Sequence, residues 1–151
     1  RNVTGVQTCA LPILIMFSIV DTVRNIVGSD NYYLIGIDQT TGEDTSLIKH
    51  ELAHGLWFSN PMYKEKQLIN IENLDPNVRE ILESKIKKMG YGENVVNDEI
   101  QAYLSTGIEY PMTSIKNIKK QIPPFVETFE KFGGTIKPKE IKLNWRTDLD
   151  A

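Results

Sequence analysis

One stretch, Thr45 to Phe58 (TSLIKHELAHGLWF), constrains this chain more than any other. It contains His50-Glu51-Leu52-Ala53-His54, and these are the only 2 histidines in 151 residues. The residues predict a helix. Asp44 or Thr45 suits the N-cap, no proline or glycine falls between Ser46 and His54, and Leu, Ala and Lys all favour helix. Helical positions four apart lie one above the other, so both imidazoles project from one face and can grip a single ion. Glu51 follows His50 by about 100° of turn, close enough to reach a water on that ion without ligating it. HExxH is the geometry a zinc hydrolase needs; the plain alternative is two helix-face histidines hydrogen-bonded inside a core.

A tetrahedral zinc gripped by two imidazoles lacks one protein ligand, because catalytic sites use three plus a water. No third histidine exists, and the sole cysteine, Cys9, lies in a segment set aside below, so a carboxylate must complete the set. Asp98 and Glu99 stand together in Asn97-Asp98-Glu99-Ile100-Gln101-Ala102-Tyr103. Glu93 to Thr106 reads as a helix stopped by Gly107, with Val96, Ile100 and Leu104 as its inward stripe. Both carboxylates flank that stripe. Either can ligate, Asp98 can instead accept an N–H from a ligating histidine and fix its tautomer, or both can sit solvated on a charged face.

HExxH followed on a later helix by Asn/Asp-Glu-x-x-Ala resembles the gluzincin pattern of zinc metallopeptidases. The resemblance covers roughly Thr45 to Thr106. It implies Glu99 as third ligand beside His50 and His54, one Zn²⁺ per chain, and Ala102 as the small residue that lets the two helices approach. It also implies Glu51 as general base and a tyrosine as oxyanion donor. Tyr103 is the first choice, with Tyr91 and Tyr110 also near in sequence. The metzincin pattern does not fit, because Trp57 stands where its glycine belongs and Asn60 where its third histidine belongs. A narrower similarity is to ImmA/IrrE-type regulatory metallopeptidases, although their Met-Pro end is reversed here as Pro111-Met112.

The rest of the chain frames this pair of helices. Val3 to Ile13, VTGVQTCALPI, resembles the in-frame translation of a sequencing adapter. Residues 1–13 are therefore set aside as an artefact, which implies that the native N-terminus is missing. Leu14 to Val20 and Tyr32 to Asp38 are apolar and β-branched enough for strands. The second is a candidate to pair with an extended substrate, or else an interior strand. The metal helix is apolar nearly all round and is expected to be buried, with Trp57 and Phe58 as core packing. Met62 to Gln67 reads as a helical turn, and Asp75-Pro76 opens a helix with Val78, Leu82, Ile86 and Met89 as its stripe, widened by Ile81. Ser114 to Gln121 is a further helical segment, and Pro123-Pro124 opens a last helix ending at Gly133-Gly134. Glu140 to Trp145 is a possible edge strand.

The expected architecture is α+β and zincin-like, a small sheet packed on a buried HExxH helix. Residues 14–134 form the minimal domain and 135–151 a tail or edge strand. The expected activity is hydrolysis of peptide bonds in a peptide or protein substrate. The alternative is a non-catalytic interaction or regulatory domain, zinc-stabilised or metal-free. A net charge of −3 with pI near 5.4 argues against nucleic acid as partner. No apolar run reaches about 18 residues, so no membrane span is visible, and a cytoplasmic location is the expectation.

Overall fold

A computed structural model of the chain describes residues 7–28, 32–35, 45–108 and 111–133. The described residues divide into two units at the boundary between Tyr32 and Tyr33. Among the described residues there is no strand. Seven α-helices follow one another: α1 (Gln7–Val27), α2 (Thr45–Ser59), α3 (Pro61–Glu72), α4 (Pro76–Lys88), α5 (Val96–Thr106), α6 (Ile118–Gln121) and α7 (Pro123–Gly133). The α+β expectation is overturned, and the described architecture is all-helical. No described helix is long and apolar enough to cross a membrane.

The expected strand at Leu14–Val20 lies inside α1 instead. A seven-residue apolar run fits a strand or a helix equally well, and its continuation decides between them. Here no glycine interrupts the chain before Gly28, whose φ of +66° ends the helix. Arg24 pairs with Asp21 one turn back at 3.7 Å, and Thr22 Oγ1 donates to the Ser18 carbonyl at 2.7 Å. Of the other expected strand, Tyr32 to Ile35 is irregular and the remainder lies outside the described residues, as does the edge strand at Glu140–Trp145.

In the second unit the punctuation residues set the helices. Asn60 is extended and caps α3, its Oδ1 accepting from Tyr63 N at 3.1 Å, with Pro61 in the first turn. The residues that end α2 therefore begin α3 immediately, and the expected turn at Met62–Gln67 is a helix of 12 residues. Asp75 caps α4 through Asn77 N and Val78 N, and Gly90 at φ +100° turns the chain out of it. A left-handed Asn117, φ +66°, breaks the expected helix at Ser114–Gln121, leaving only α6 and a 3₁₀ turn at Met112–Ser114.

At the centre is α5, which packs most extensively on α2 and also against α7, α4 and α3. Val96, Ile100 and Leu104 meet Val78, Leu82 and Ile86 of α4 in one core with Ile71, Met112 and Phe125. Ile81 and Met89, counted above with the α4 stripe, are exposed. The expectation of a fully buried metal helix is also corrected. Ala53 and Leu56 face the core, but Leu47 is 40% and Phe58 62% exposed. Trp57 is half-buried against the core, with Lys64 Nζ 5.0 Å above its ring.

Candidate metal centre

Two helices build the site. Along α2, His50 and His54 stack one turn apart, their rings near-perpendicular with centroids 4.8 Å apart. Their Nε2 atoms approach to 3.2 Å. That is a hydrogen-bond distance, and it is also close to the edge of about 3.3–3.4 Å of a tetrahedron with bonds of about 2.0–2.1 Å, so the spacing suits a hydrogen-bonded pair of histidines and two ligands of one ion alike. From α5, Glu99 enters the same space: Oε2 lies 3.7 Å from His50 Nε2 and Oε1 3.7 Å from His54 Nε2. One ligand atom from each of the three residues lies within 4.8 Å of the others, so His50, His54 and Glu99 could hold a metal ion.

Glu99 supplies the independent test of that fit. Its residue is 7% exposed, and Oε2 is buried without a hydrogen-bond partner. A buried carboxylate oxygen with nothing to accept from costs several kilocalories per mole unless a cation satisfies it. Two neutral imidazole nitrogens and a carboxylate oxygen also form a donor set suited to zinc.

Asp98 occupies a different position. Its Oδ1 lies 2.8 Å from His54 Nδ1, the ring nitrogen away from the Glu99 side. A carboxylate only accepts, so Nδ1 carries the proton and the Nε2 lone pair is left for a cation. Burial lowers the His54 pKa, but the Asp98 hydrogen bond and the charges of Asp98, Glu99 and Glu51 outweigh it and hold the group above its ordinary value. Ala53 on α2 and Ala102 on α5 are both fully buried, and the Gln101 amide reaches the Ala53 carbonyl at 3.3 Å. Small side chains thus stand on both helices where α5 reaches the α2 backbone.

The cluster opens into a cleft of about 830 Å³. Glu51 lines it without belonging to the ligand group, and Tyr103 lines it with its ring 4.7 Å from that of His50. Tyr91 also reaches the cleft, whereas Tyr110 lies outside the described residues. Sequence reasoning missed Tyr33, a cleft residue whose hydroxyl pKa is pushed up by burial and then by the charges of Glu51, Asp98 and Glu99. One signal was available: Gly55, a glycine inside a helix, which marks a close approach. The Tyr33 ring lies over it, with Cδ1 3.3 Å from where a Cβ would stand. Comparisons with protein-family models, with curated proteins and with solved structures find no match to this chain.

Proposed function

We propose that this chain is a zinc-dependent peptidase of the gluzincin type, in which His50, His54 and Glu99 hold one zinc ion and Glu51 is the general base. The observation that carries the reading is the unpartnered, buried Glu99 Oε2, which shares its space with two converging imidazole nitrogens beside an open cleft. A bound zinc supplies Lewis acidity, lowering the pKa of its water toward about 7 and polarising a scissile carbonyl.

The protein's own groups do the rest. Glu51 takes the water proton and passes it to the leaving amine. Asp98 holds His54 in the tautomer that keeps Nε2 free to ligate. Tyr103 offers its phenol to the oxyanion from beside His50. The substrate is a peptide segment laid along the cleft, between the exposed Leu47 and the α5 end at Thr106 and Ile108.

A second reading has one observation in its favour: the candidate ligands come from α2 and α5, the most extensive helix pair, so an ion there could serve only as a staple. Glu51→Gln separates the two. The peptidase reading expects the variant to retain one zinc per chain by elemental analysis and to lose cleavage of an unbiased peptide library. Zinc-loaded wild type that cleaves nothing in that library leaves the staple; a chain purified without chelator that takes up no zinc loses both.

A further inference from the structure

Three fully buried polar side chains lie behind the metal centre: Tyr63, Gln67 and Gln101. Such groups are uncommon in a core that apolar residues of similar volume would fill as well, so an unbroken line of them calls for a reason. They connect. The Tyr63 hydroxyl donates to Gln101 Oε1 at 2.6 Å, Gln67 Nε2 donates to the Tyr63 oxygen at 3.1 Å, and Gln101 Nε2 donates to Asp98 Oδ1 at 3.0 Å. At the outer end, Asn70 Nδ2 donates to Gln67 Oε1 at 3.0 Å.

The direction of this line is dictated rather than free. Backbone carbonyls only accept, and one stands beside each amide: Ala53 O at 3.3 Å from Gln101 Nε2, Phe125 O at 3.3 Å from Gln67 Nε2, and Pro124 O at 3.1 Å from Asn70 Nδ2. Each amide is therefore turned with its nitrogen toward its carbonyl, and the oxygens of Gln67 and Gln101 face the preceding donor. Tyr63, accepting from Gln67, has its own proton left for Gln101. Side branches leave the line at Ser105 Oγ, 3.0 Å from Gln67 Nε2, and at Thr128 Oγ1, 3.1 Å from Asn70 Nδ2, but the donors within it run one way, from Asn70 at the α3–α7 contact to Asp98. There Gln101 and His54 both address the same oxygen, Oδ1.

We propose that this one-way relay, Asn70 to Gln67 to Tyr63 to Gln101, fixes the Asp98 carboxylate and through it sets how tightly His54 binds the metal. Tyr63 and Gln101 are positioning residues. The inference rests on the metal-binding reading above. It adds that affinity is governed from α3, by side chains that never approach the ion. Without the Tyr63 proton, Gln101 Oε1 is a buried acceptor left unpaired, so the amide is anchored only through its nitrogen and no longer held in register with Asp98 Oδ1. The carboxylate then loses a donor, and its grip on His54 Nδ1–H loosens.

Tyr63→Phe tests this with the least disturbance, because the ring and its edge contact with Phe132, centroids 5.7 Å apart, are kept. Zinc affinity is measured by competition with a chromophoric chelator, alongside the melting temperature of the metal-free protein. Loss of a partner behind a metal ligand typically weakens binding 10–100-fold, and for Tyr63, two residues beyond Asp98, the expected loss is at the lower end, about tenfold. Ile71→Val, a buried change on the same helix away from the relay, should lower the melting temperature and leave affinity unchanged. Should Tyr63→Phe fail to fold, Gln101→Met is read the same way. Wild type that binds one zinc with Tyr63→Phe within twofold of it overturns the relay and leaves the metal centre standing. Wild type that binds none removes the metal centre and the relay together.

Discussion

Asp98→Asn puts the chemistry of the site to its most direct test, because the bond it alters is the shortest contact of the centre, 2.8 Å from His54 Nδ1. Consider the metal-free protein first. The His54 pKa is raised in the fold, so the folded chain binds that proton more tightly than the unfolded one. The resulting stability is fully present below the unfolded value of about 6.5 and is lost as pH rises through the raised folded value. A hydrogen bond to a charged group contributes about 1.5–3 kcal/mol. Side-chain exposures of 12% for His54 and 22% for Asp98 favour the lower end. With about 4 °C per kcal/mol for a unit of this size, the variant should melt about 6 °C below wild type at pH 5.5, with the gap narrowing as pH rises. With zinc the sign of the pH effect reverses. The ion needs neutral His54, so affinity falls as pH falls, and Asp98→Asn at pH 7.5 should bind about 10–100-fold more weakly. Differential scanning fluorimetry across pH and a chelator competition read both. A melting gap that does not change with pH, together with unaltered zinc affinity, would show that Asp98 does not govern His54.

Glu99→Gln should abolish stoichiometric zinc binding and yet leave the metal-free protein as stable as wild type or more so, since it removes a buried charge with an unpartnered oxygen. Elemental analysis and a thermal melt of the chelator-treated protein check the two halves. Gly55→Ala gains about 1 kcal/mol of helix propensity and forces the Tyr33 ring, 3.3 Å from the new Cβ, to shift by a few tenths of an ångström. Tyr33 is 41% exposed and can yield, so the melting temperature should hold or rise. A clear drop in stability would mean instead that the ring is locked in place.

The parts of this fold legible in the sequence were those written in helical punctuation. Asp75-Pro76, Gly90, Gly107 and Pro123 bound helices where their backbone chemistry says they should, and the α4 and α5 stripes bury Val78, Leu82, Ile86, Val96, Ile100 and Leu104. Leu14–Val20 misled because a short apolar run carries no period of its own. Asn60-Pro61 reads as an end but not as a beginning, so the sequence shows only a turn at Met62–Gln67 where α3 stands. At the site, the HExxH spacing places two imidazoles on one face by helix geometry alone. Which of Asp98 and Glu99 meets which ring nitrogen depends on the rotation of α5 against α2, which periodicity alone does not record; the Glu-x-x-Ala resemblance implies Glu99 for the ligand group, and the structure groups Glu99 with the two histidines. The Tyr63–Gln101 contact joins residues 38 positions apart and left no sequence trace.

The junction at Asn60 has a mechanical consequence. One non-helical residue separates α2 from α3, and a capped corner with a proline behind it leaves that joint little freedom. The phase of Tyr63 around its axis is thereby tied to the phase of His54 around its own. A single residue spliced in after Ser59 would rotate α3 by about 100° and swing its amides away from the α5 side, while His50 and His54 kept their places in the sequence and their spacing along α2. The corner thus acts as a gauge block, holding two helices at one fixed angular offset.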